Sequence, residues 1–454
     1  MKPVTKSYFF CGIGGSGMSA LAQILCARGY AVSGSDRSHD YGESSAKFEA
    51  LQNLGIELFK QDGSGVHKGL HKVIASTAIE AEIPDLSTAK ACGIEIQKRS
   101  SLLAELFHQG QGIAIGGTSG KSTVTAMLGY LLHALDFDPL VINGATIVNP
   151  ISDGLGNIIL GKGENVLIEA DESDGSIELY KPYIATINNI TLDHKPLEEL
   201  RILFADFAQR AHHCVINKDC PESMALFADL PATTFSLEDA SADLFADNIH
   251  IKDQRYHYEL DGKEFSLQTP GNHNIANALT AIAAAEFLGV DRYHAAKTLE
   301  GFLGVRRRLE MIGEKAGITV IDDFAHNPDK IAATLDTLNA IYKRLFIFFQ
   351  PHGFAPTRLM KEGYIASFNA HLSTDDYLLM PEIYFAGGTA AKDISSKDIV
   401  SKIHPAQHLF CENRQLAKDS MLNAAESGDA IVIMGARDDT LTDFAREILS
   451  EIKA

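Results

Sequence analysis

Two glycine-rich turns constrain this chain more than any other feature. Residues 12–17 read Gly12-Ile13-Gly14-Gly15-Ser16-Gly17, and residues 117–123 read Gly117-Thr118-Ser119-Gly120-Lys121-Ser122-Thr123. Each turn follows an apolar run, SYFFC before the first and GIAI before the second, and each opens a stretch with helical apolar spacing. Met18, Leu21, Ile24 and Leu25 share one helical face; Val124, Met127, Leu128, Leu131, Leu132 and Leu135 share another. Strand, glycine turn and helix in that order make the repeating unit of a parallel α/β sheet.

The rhythm recurs along all 454 residues, too many for one ordinary core. Further strands are expected at AVSGSD, KVIAS, NVLIE, YIATINNI and HHCVIN, and a hairpin is expected around Asp261-Gly262. A third block opens near LGVRRRLEMIG and repeats strand and helix at ITVIDD, RLFIFFQ and DAIVIMG, with Asn327-Pro328 as a helix N-cap and first-turn pair. The expected fold class is therefore α/β in three domains. They are a Rossmann-like domain at 1–105, a central phosphate-loop domain with a mainly parallel sheet at 106–303, and a Rossmann-like C-terminal domain at 304–454.

A formal net charge of −19 opposes wrapping a nucleic-acid backbone or an anionic membrane surface, so neither is an expected partner. The six cysteines are scattered without a CxxC pair, which fits a reducing cytoplasm and indicates neither a zinc site nor a disulfide framework. The apolar run at the start breaks into glycines after five residues and reads as a strand. No stretch approaches the ~20 apolar residues that a membrane helix needs.

The first turn suits a pyrophosphate at a helix N-terminus, since glycines let backbone N–H groups approach it. Asp36, ending the second strand, stands where a ribose-binding acid is expected; NAD and a nucleotide diphosphate look alike at this level. The second turn departs from the usual phosphate loop, with Ile115 where a glycine is normal. It still supplies backbone donors, the Lys121 ammonium for β and γ phosphates, and the Ser122 hydroxyl for Mg²⁺. Glu169, in the run Glu169-Ala170-Asp171-Glu172-Ser173-Asp174, follows a strand, as does His194. Ser122, Glu169 and His194 converging from three strand ends would suit one hard divalent cation, although an acidic run is ordinarily a solvated loop. Asn274 and Asn277, beside His273, could read an adenine edge or cap a helix. Arg306, Arg307 and Arg308 could be surface or could supply charge to a transferring phosphoryl group. Asp322, Asp323, His326 and Asn327 form another strand-end group.

Taken in order, GIGGSGMSALA…GSD, GTSGKST, EADESD, NNITLDH, GNHNIANA, RRRLE, DDFAHNP and FQPH resemble the Mur ligases over essentially the whole chain. These are ATP-dependent enzymes that add amino acids or peptides to the UDP-N-acetylmuramic acid precursor of bacterial cell wall, and the first motifs resemble the L-alanine-adding branch. The resemblance implies ATP and Mg²⁺ as cofactors, and UDP-N-acetylmuramate with an amino acid or short peptide as substrates, in a monomer or dimer. It implies UDP-sugar contacts at Gly12, Gly14, Gly15, Ser16, Gly17 and Asp36. Nucleotide contacts are implied at residues 117–123, His273, Asn274, Asn277 and Asp323. Catalytic roles fall to Lys121, His194, Arg307 and His326, with Arg307 closing over the phosphates and His326 facing the acceptor. His352 and Arg358 are implied on the substrate side. In that branch FQPH typically runs on into arginines; here it continues GFAPTR, leaving Gly353 and Pro356 in their place and only Arg358 retained. RRRLE and DDFAHNP also resemble the murein peptide ligase, which attaches a recycled tripeptide. A catalytically silent precursor-binding protein, an NAD-dependent oxidoreductase and a phosphate-loop kinase or motor ATPase are the competing classes. The last two each leave one of the glycine turns idle.

Overall fold

The computed structural model describes residues 6–43, 45–76, 82–151, 156–173, 175–191, 195–227, 230–385, 391–404, 407–438 and 440–453. The chain forms two compact units. The first comprises Met1–Ile249, Tyr258–Ser266 and His273–Leu303; the second comprises His250–His257, Leu267–Asn272 and Gly304–Ala454.

The N-terminal sheet is five-stranded and parallel. It contains β1 (Ser7–Cys11), β2 (Ala31–Ser35), β3 (Glu57–Phe59), β4 (Lys72–Ala75) and β5 (Glu95–Lys98) in the order β3-β2-β1-β4-β5. Its first helix, Ser16–Ala27, buries Met18, Leu21, Ile24 and Leu25, the expected stripe, and closes on Gly29 at φ +81°.

The central sheet has ten strands: β6 (Gln111–Gly116), β7 (Leu140–Ile142), β8 (Ile158–Leu160), β9 (Asn165–Glu169), β10 (Ile184–Ile187), β11 (His213–Asn217), β12 (Ala232–Ser236), β13 (Leu244–Lys252), β14 (Arg255–Leu260) and β15 (Lys263–Leu267). Their order is β15-β14-β13-β12-β11-β10-β6-β9-β7-β8. β6 lies between β9 and β10, both parallel to it, so the chain winds outward from it in opposite directions. That reversal is where α/β sheets leave a crevice for ligands. The expected turn at Asp261-Gly262 joins β14 to β15 with both residues at positive φ. A second two-residue turn, Asp253-Gln254, joins β13 to β14 in the same way.

One hydrophobic core runs beneath both of these sheets. Leu102, Leu103, Leu106 and Phe107 of the helix Arg99–Phe107 belong to it together with Phe10 and Ile74 of the first sheet and Val166 and Ile187 of the second. Phe107 meets Tyr180 edge-on at 5.2 Å. The expected boundary at residue 105 thus falls inside a helix, whose apolar face is wide enough to be shared by two sheets.

The third sheet, β16 (Glu310–Lys315), β17 (Ile318–Asp323), β18 (Leu345–Phe349), β19 (Tyr377–Pro381), β20 (Gln407–Cys411) and β21 (Ala430–Met434), has the order β16-β17-β21-β18-β19-β20. Among the described residues the edge pair β16–β17 is antiparallel and the other pairs of this sheet are parallel. Asn327 accepts from the Lys330 N–H at 2.9 Å ahead of Pro328, the expected cap. Among the described residues no helix is long and apolar enough to cross a membrane.

Candidate active site

The second glycine turn sits at the carboxyl end of β6, opening the helix Lys121–Ala134. Gly117 at φ +130° and Gly120 at φ +86° adopt backbone that L side chains rarely reach. Gly120 has a steric reason as well: a Cβ there would lie 2.6 Å from Asn277 Oδ1 and 2.7 Å from Asn188 Nδ2. Lys121 Nζ donates to the Gly117 carbonyl at 2.8 Å and to Glu172 Oε2 at 2.7 Å, with the Glu172 side chain only 2% exposed. Thr118 Oγ1 lies 2.8 Å from both Asn189 Oδ1 and Thr191 Oγ1, and the Ser119 N–H donates to Asn189 Oδ1 at 2.8 Å. The loop is therefore pinned by the segment that leaves β10.

Beside the loop, Ser122 Oγ donates to Glu169 Oε2 at 3.0 Å, and the Gly144 N–H donates to Glu169 Oε1 at 2.5 Å. A hydroxyl and a carboxylate meeting at a phosphate loop are hard-oxygen donors of the kind Mg²⁺ takes, so these two residues fit the expected ion. His194, the third expected ligand, and Asp174 lie outside the described residues.

Asn274 and Asn277 are tied into the interior. They are buried on the helix Asn272–Phe287 in a chain of amides: Asn277 Nδ2 donates to Asn274 Oδ1 at 3.1 Å, Asn188 Nδ2 to Asn277 Oδ1 at 2.8 Å, and Thr280 Oγ1 to Asn188 Oδ1 at 2.8 Å. This network is the floor on which Gly120 rests. His273 is exposed.

At the first turn, Gly12 has φ +79°, and the Gly12 and Ile13 N–H groups donate to the Ser35 carbonyl at 2.8 and 2.9 Å. Asp36 follows directly and reaches the turn, accepting from the Gly14 N–H at 2.7 Å and from the Ser38 N–H at 2.9 Å. A Cβ on Gly14 would lie 2.7 Å from Asp36 Oδ2, and one on Gly17 would lie 3.0 Å from Arg99 Nη1. Lys47 Nζ donates to the Gly14 carbonyl. Gly15 is the N-cap and Ser16 the first residue of the helix, so backbone donors and cations gather at one helix N-terminus.

In the second unit, β17, β21 and β18 lie side by side in register, Asp323 and Phe349 both opposite Met434. Asp323 is buried and committed to this frame, accepting from Thr334 Oγ1 at 2.6 Å and from the Leu309 N–H at 3.1 Å. Burial pushes the Asp322 carboxyl up to about 6, against its bond from Thr442 Oγ1 and the Arg307 charge. Arg307, at φ +57°, donates to the carbonyls of Gly435 at 2.6 Å and Ala436 at 3.3 Å. His326 donates Nδ1–H to the Phe324 carbonyl at 2.8 Å, and its ring centroid is 5.6 Å from that of His352. Burial lowers His326 most, with Lys330, Arg308 and Arg437 adding to the effect; burial, then His326 and Arg437, brings His352 down to about 4. Arg358 is paired with Asp393 and also donates to the Ala391 carbonyl at 3.1 Å. Glu172, Asn188 and Arg437 are the residues here that sequence reasoning passed over or left in a charge run.

Fold and site together define a multidomain α/β protein built around a phosphate loop at a sheet switch point, with a second glycine turn before it and a cationic strand end after it. Residues 7–111 match the Mur ligase family catalytic domain, 115–285 the Mur ligase middle domain and 307–437 the Mur ligase glutamate ligase domain. The chain is 33% identical to a UDP-N-acetylmuramate–L-alanine ligase of Sulfurihydrogenibium sp. over 98% of both chains. It therefore belongs to the Mur ligase family. Among solved structures, UDP-N-acetylmuramate-alanine ligase from Thermotoga maritima matches with TM-score 0.77 at 23% identity, covering 98% of both chains. A murein peptide ligase from Psychrobacter arcticus matches with TM-score 0.66 at 22% identity, covering 99% of this chain and 100% of its own. The two share the fold.

Proposed function

We propose that this chain is an ATP-dependent ligase joining L-alanine to the carboxylate of UDP-N-acetylmuramate in peptidoglycan precursor synthesis. The observation that carries the reading is the Lys121 ammonium, tethered at the mouth of an intact phosphate loop by a carbonyl and a buried carboxylate. The curated relatives' names support L-alanine over a peptide as the amine.

A carboxylate oxygen of the sugar nucleotide attacks the γ-phosphorus of ATP, the bond to ADP breaks, and an acyl phosphate forms. The amine attacks the acyl carbon, and the tetrahedral intermediate expels inorganic phosphate, leaving the amide. Lys121 and the loop N–H groups hold the polyphosphate and stabilise the charge that grows on the departing ADP oxygens. Ser122, Glu169 and His194 would hold Mg²⁺, which when bound screens the phosphate charges. Asp36 and the first glycine turn hold the uridine diphosphate end. His326, kept neutral by burial and with Nδ1–H engaged, presents Nε2 as a base for the proton the amine must lose.

The test is ADP release with UDP-N-acetylmuramate and either L-alanine or the cell-wall tripeptide. ADP release that requires the sugar nucleotide and is faster with L-alanine supports the reading; release without the sugar nucleotide rejects it.

A further inference from the structure

The strands β13, β14 and β15 take no part in the ligase reading above. They are consecutive in the chain and adjacent in the central sheet, and β15 ends its strand order. Each connection is a two-residue turn with both residues at positive φ: Asp253 at +51° and Gln254 at +58°, then Asp261 at +51° and Gly262 at +74°. Such turns fix the register of the strands they join. The first sets Lys252 opposite Arg255, and so His250 opposite His257. The second sets Leu260 opposite Lys263, and so Glu264 diagonal to His257 on the same face.

Tyr256, Tyr258 and Leu260 alternate into the interior, which turns His257 to the other face. There the rings of His250 and His257 lie 5.2 Å apart between centroids, with 22° between their planes. One ligand atom from each of His250, His257 and Glu264 lies within 4.8 Å of the other two. Both histidines are half-buried and Glu264 is exposed. Two imidazole nitrogens and a carboxylate oxygen are a donor set that suits Zn²⁺. Ligand atoms about 2.1 Å from one tetrahedral Zn²⁺ stand roughly 3.4 Å from each other. Closing to that spacing asks only for rotation about side-chain bonds, with the strands unmoved. The chain's formal net charge of −19 also favours a cation.

We propose that His250, His257 and Glu264 form a zinc site that braces β13, β14 and β15 together, with its fourth position left to water. The inference is independent of the ligase reading. Mg²⁺ prefers oxygen donors and keeps its waters, so this set discriminates against the ion expected at Ser122 and Glu169. The donors are imidazole and carboxylate, which is why the scatter of cysteines gave no sign of them.

The experiment titrates untagged, EDTA-treated full-length protein with ZnCl₂ by calorimetry in excess Mg²⁺. It compares wild type with His250→Gln, His257→Gln and the double variant. Wild type should bind one more equivalent of Zn²⁺ than the double variant, and each single variant should hold that equivalent at least roughly tenfold more weakly. Because the side chains are not in the core, the variants should melt in EDTA within about 2 °C of wild type. A second measurement needs no variant: wild-type crystals grown at the ZnCl₂ concentration that saturates the titration, measured at the zinc absorption edge. An anomalous peak between the two imidazoles is expected. Equal Zn²⁺ stoichiometry in wild type and double variant, or a crystal with no zinc at His250 and His257, overturns the proposal and leaves the ligase reading untouched.

Discussion

Replacing Glu172 with glutamine tests how the phosphate loop is held before nucleotide arrives. The substitution keeps the side chain's volume and removes its charge, leaving Lys121, itself 14% exposed, opposite a neutral amide in a site where Glu172 is 2% exposed. Removing one partner of a buried ion pair costs roughly 3–5 kcal/mol. The lower end applies here because Lys121 keeps its 2.8 Å bond to the Gly117 carbonyl and Gln still offers an acceptor. At about 2 °C per kcal/mol for a large unit, the first unit should melt roughly 6 °C lower in Glu172→Gln. MgATP supplies the missing negative charge, so it should raise the variant's melting temperature more than the wild type's and narrow the gap. Scanning calorimetry with and without MgATP reads both quantities. A variant that melts within about 1 °C of wild type, or a gap that MgATP does not narrow, would refute the reasoning that Glu172 neutralises a lysine reserved for phosphate.

Two further outcomes follow from the same geometry. Lys121→Ala should abolish ATP-dependent turnover, measured by ADP release, while the affinity for the sugar nucleotide, measured by calorimetric titration, stays within about twofold, because the proposed function assigns that ligand to the first glycine turn. Because burial holds the folded His352 near 4, below its ordinary unfolded value of about 6.5, its contribution to stability is fully present above about pH 6.5 and is lost as pH falls towards 4. The urea midpoint of the wild type should therefore drop more between pH 7.5 and pH 4.5 than that of His352→Gln. Asp322, raised to about 6, has the opposite slope but is common to both proteins and cancels in the difference.

Local signals carried much of the fold into view. The three strand-and-helix blocks, the Gly29 helix stop, the Asn327-Pro328 start and the Asp261-Gly262 turn are each set by residues within a few positions of one another. The Asp253-Gln254 turn escaped notice because it has no glycine; Asp253 and Gln254 are held at positive φ by the strands on either side. The shared core of the first unit was equally hidden, since the helix Arg99–Phe107 has too few residues to reveal that its apolar face serves two sheets. At the site, the two glycine turns opening helices after strands, and Ser122 near Glu169, could be anticipated from strand ends and turn chemistry; the bond from the Gly14 N–H to Asp36 lay beyond them. Partnerships at long range could not. Glu172 lies 51 residues from Lys121 in an acidic run that ordinarily signals a solvated surface. Asn188 meets Asn277 across 89 residues, with no periodicity linking them.

The central claim is that ATP activates the sugar-nucleotide carboxylate as an acyl phosphate before the amine attacks. Synthesising UDP-N-acetylmuramate with ¹⁸O in both carboxylate oxygens and analysing the phosphate released during ligation with L-alanine tests it most directly. The account predicts one ¹⁸O atom in each phosphate formed, because the oxygen that attacks the γ-phosphorus leaves with it. Phosphate free of ¹⁸O, with amide formed at the normal rate, would contradict it.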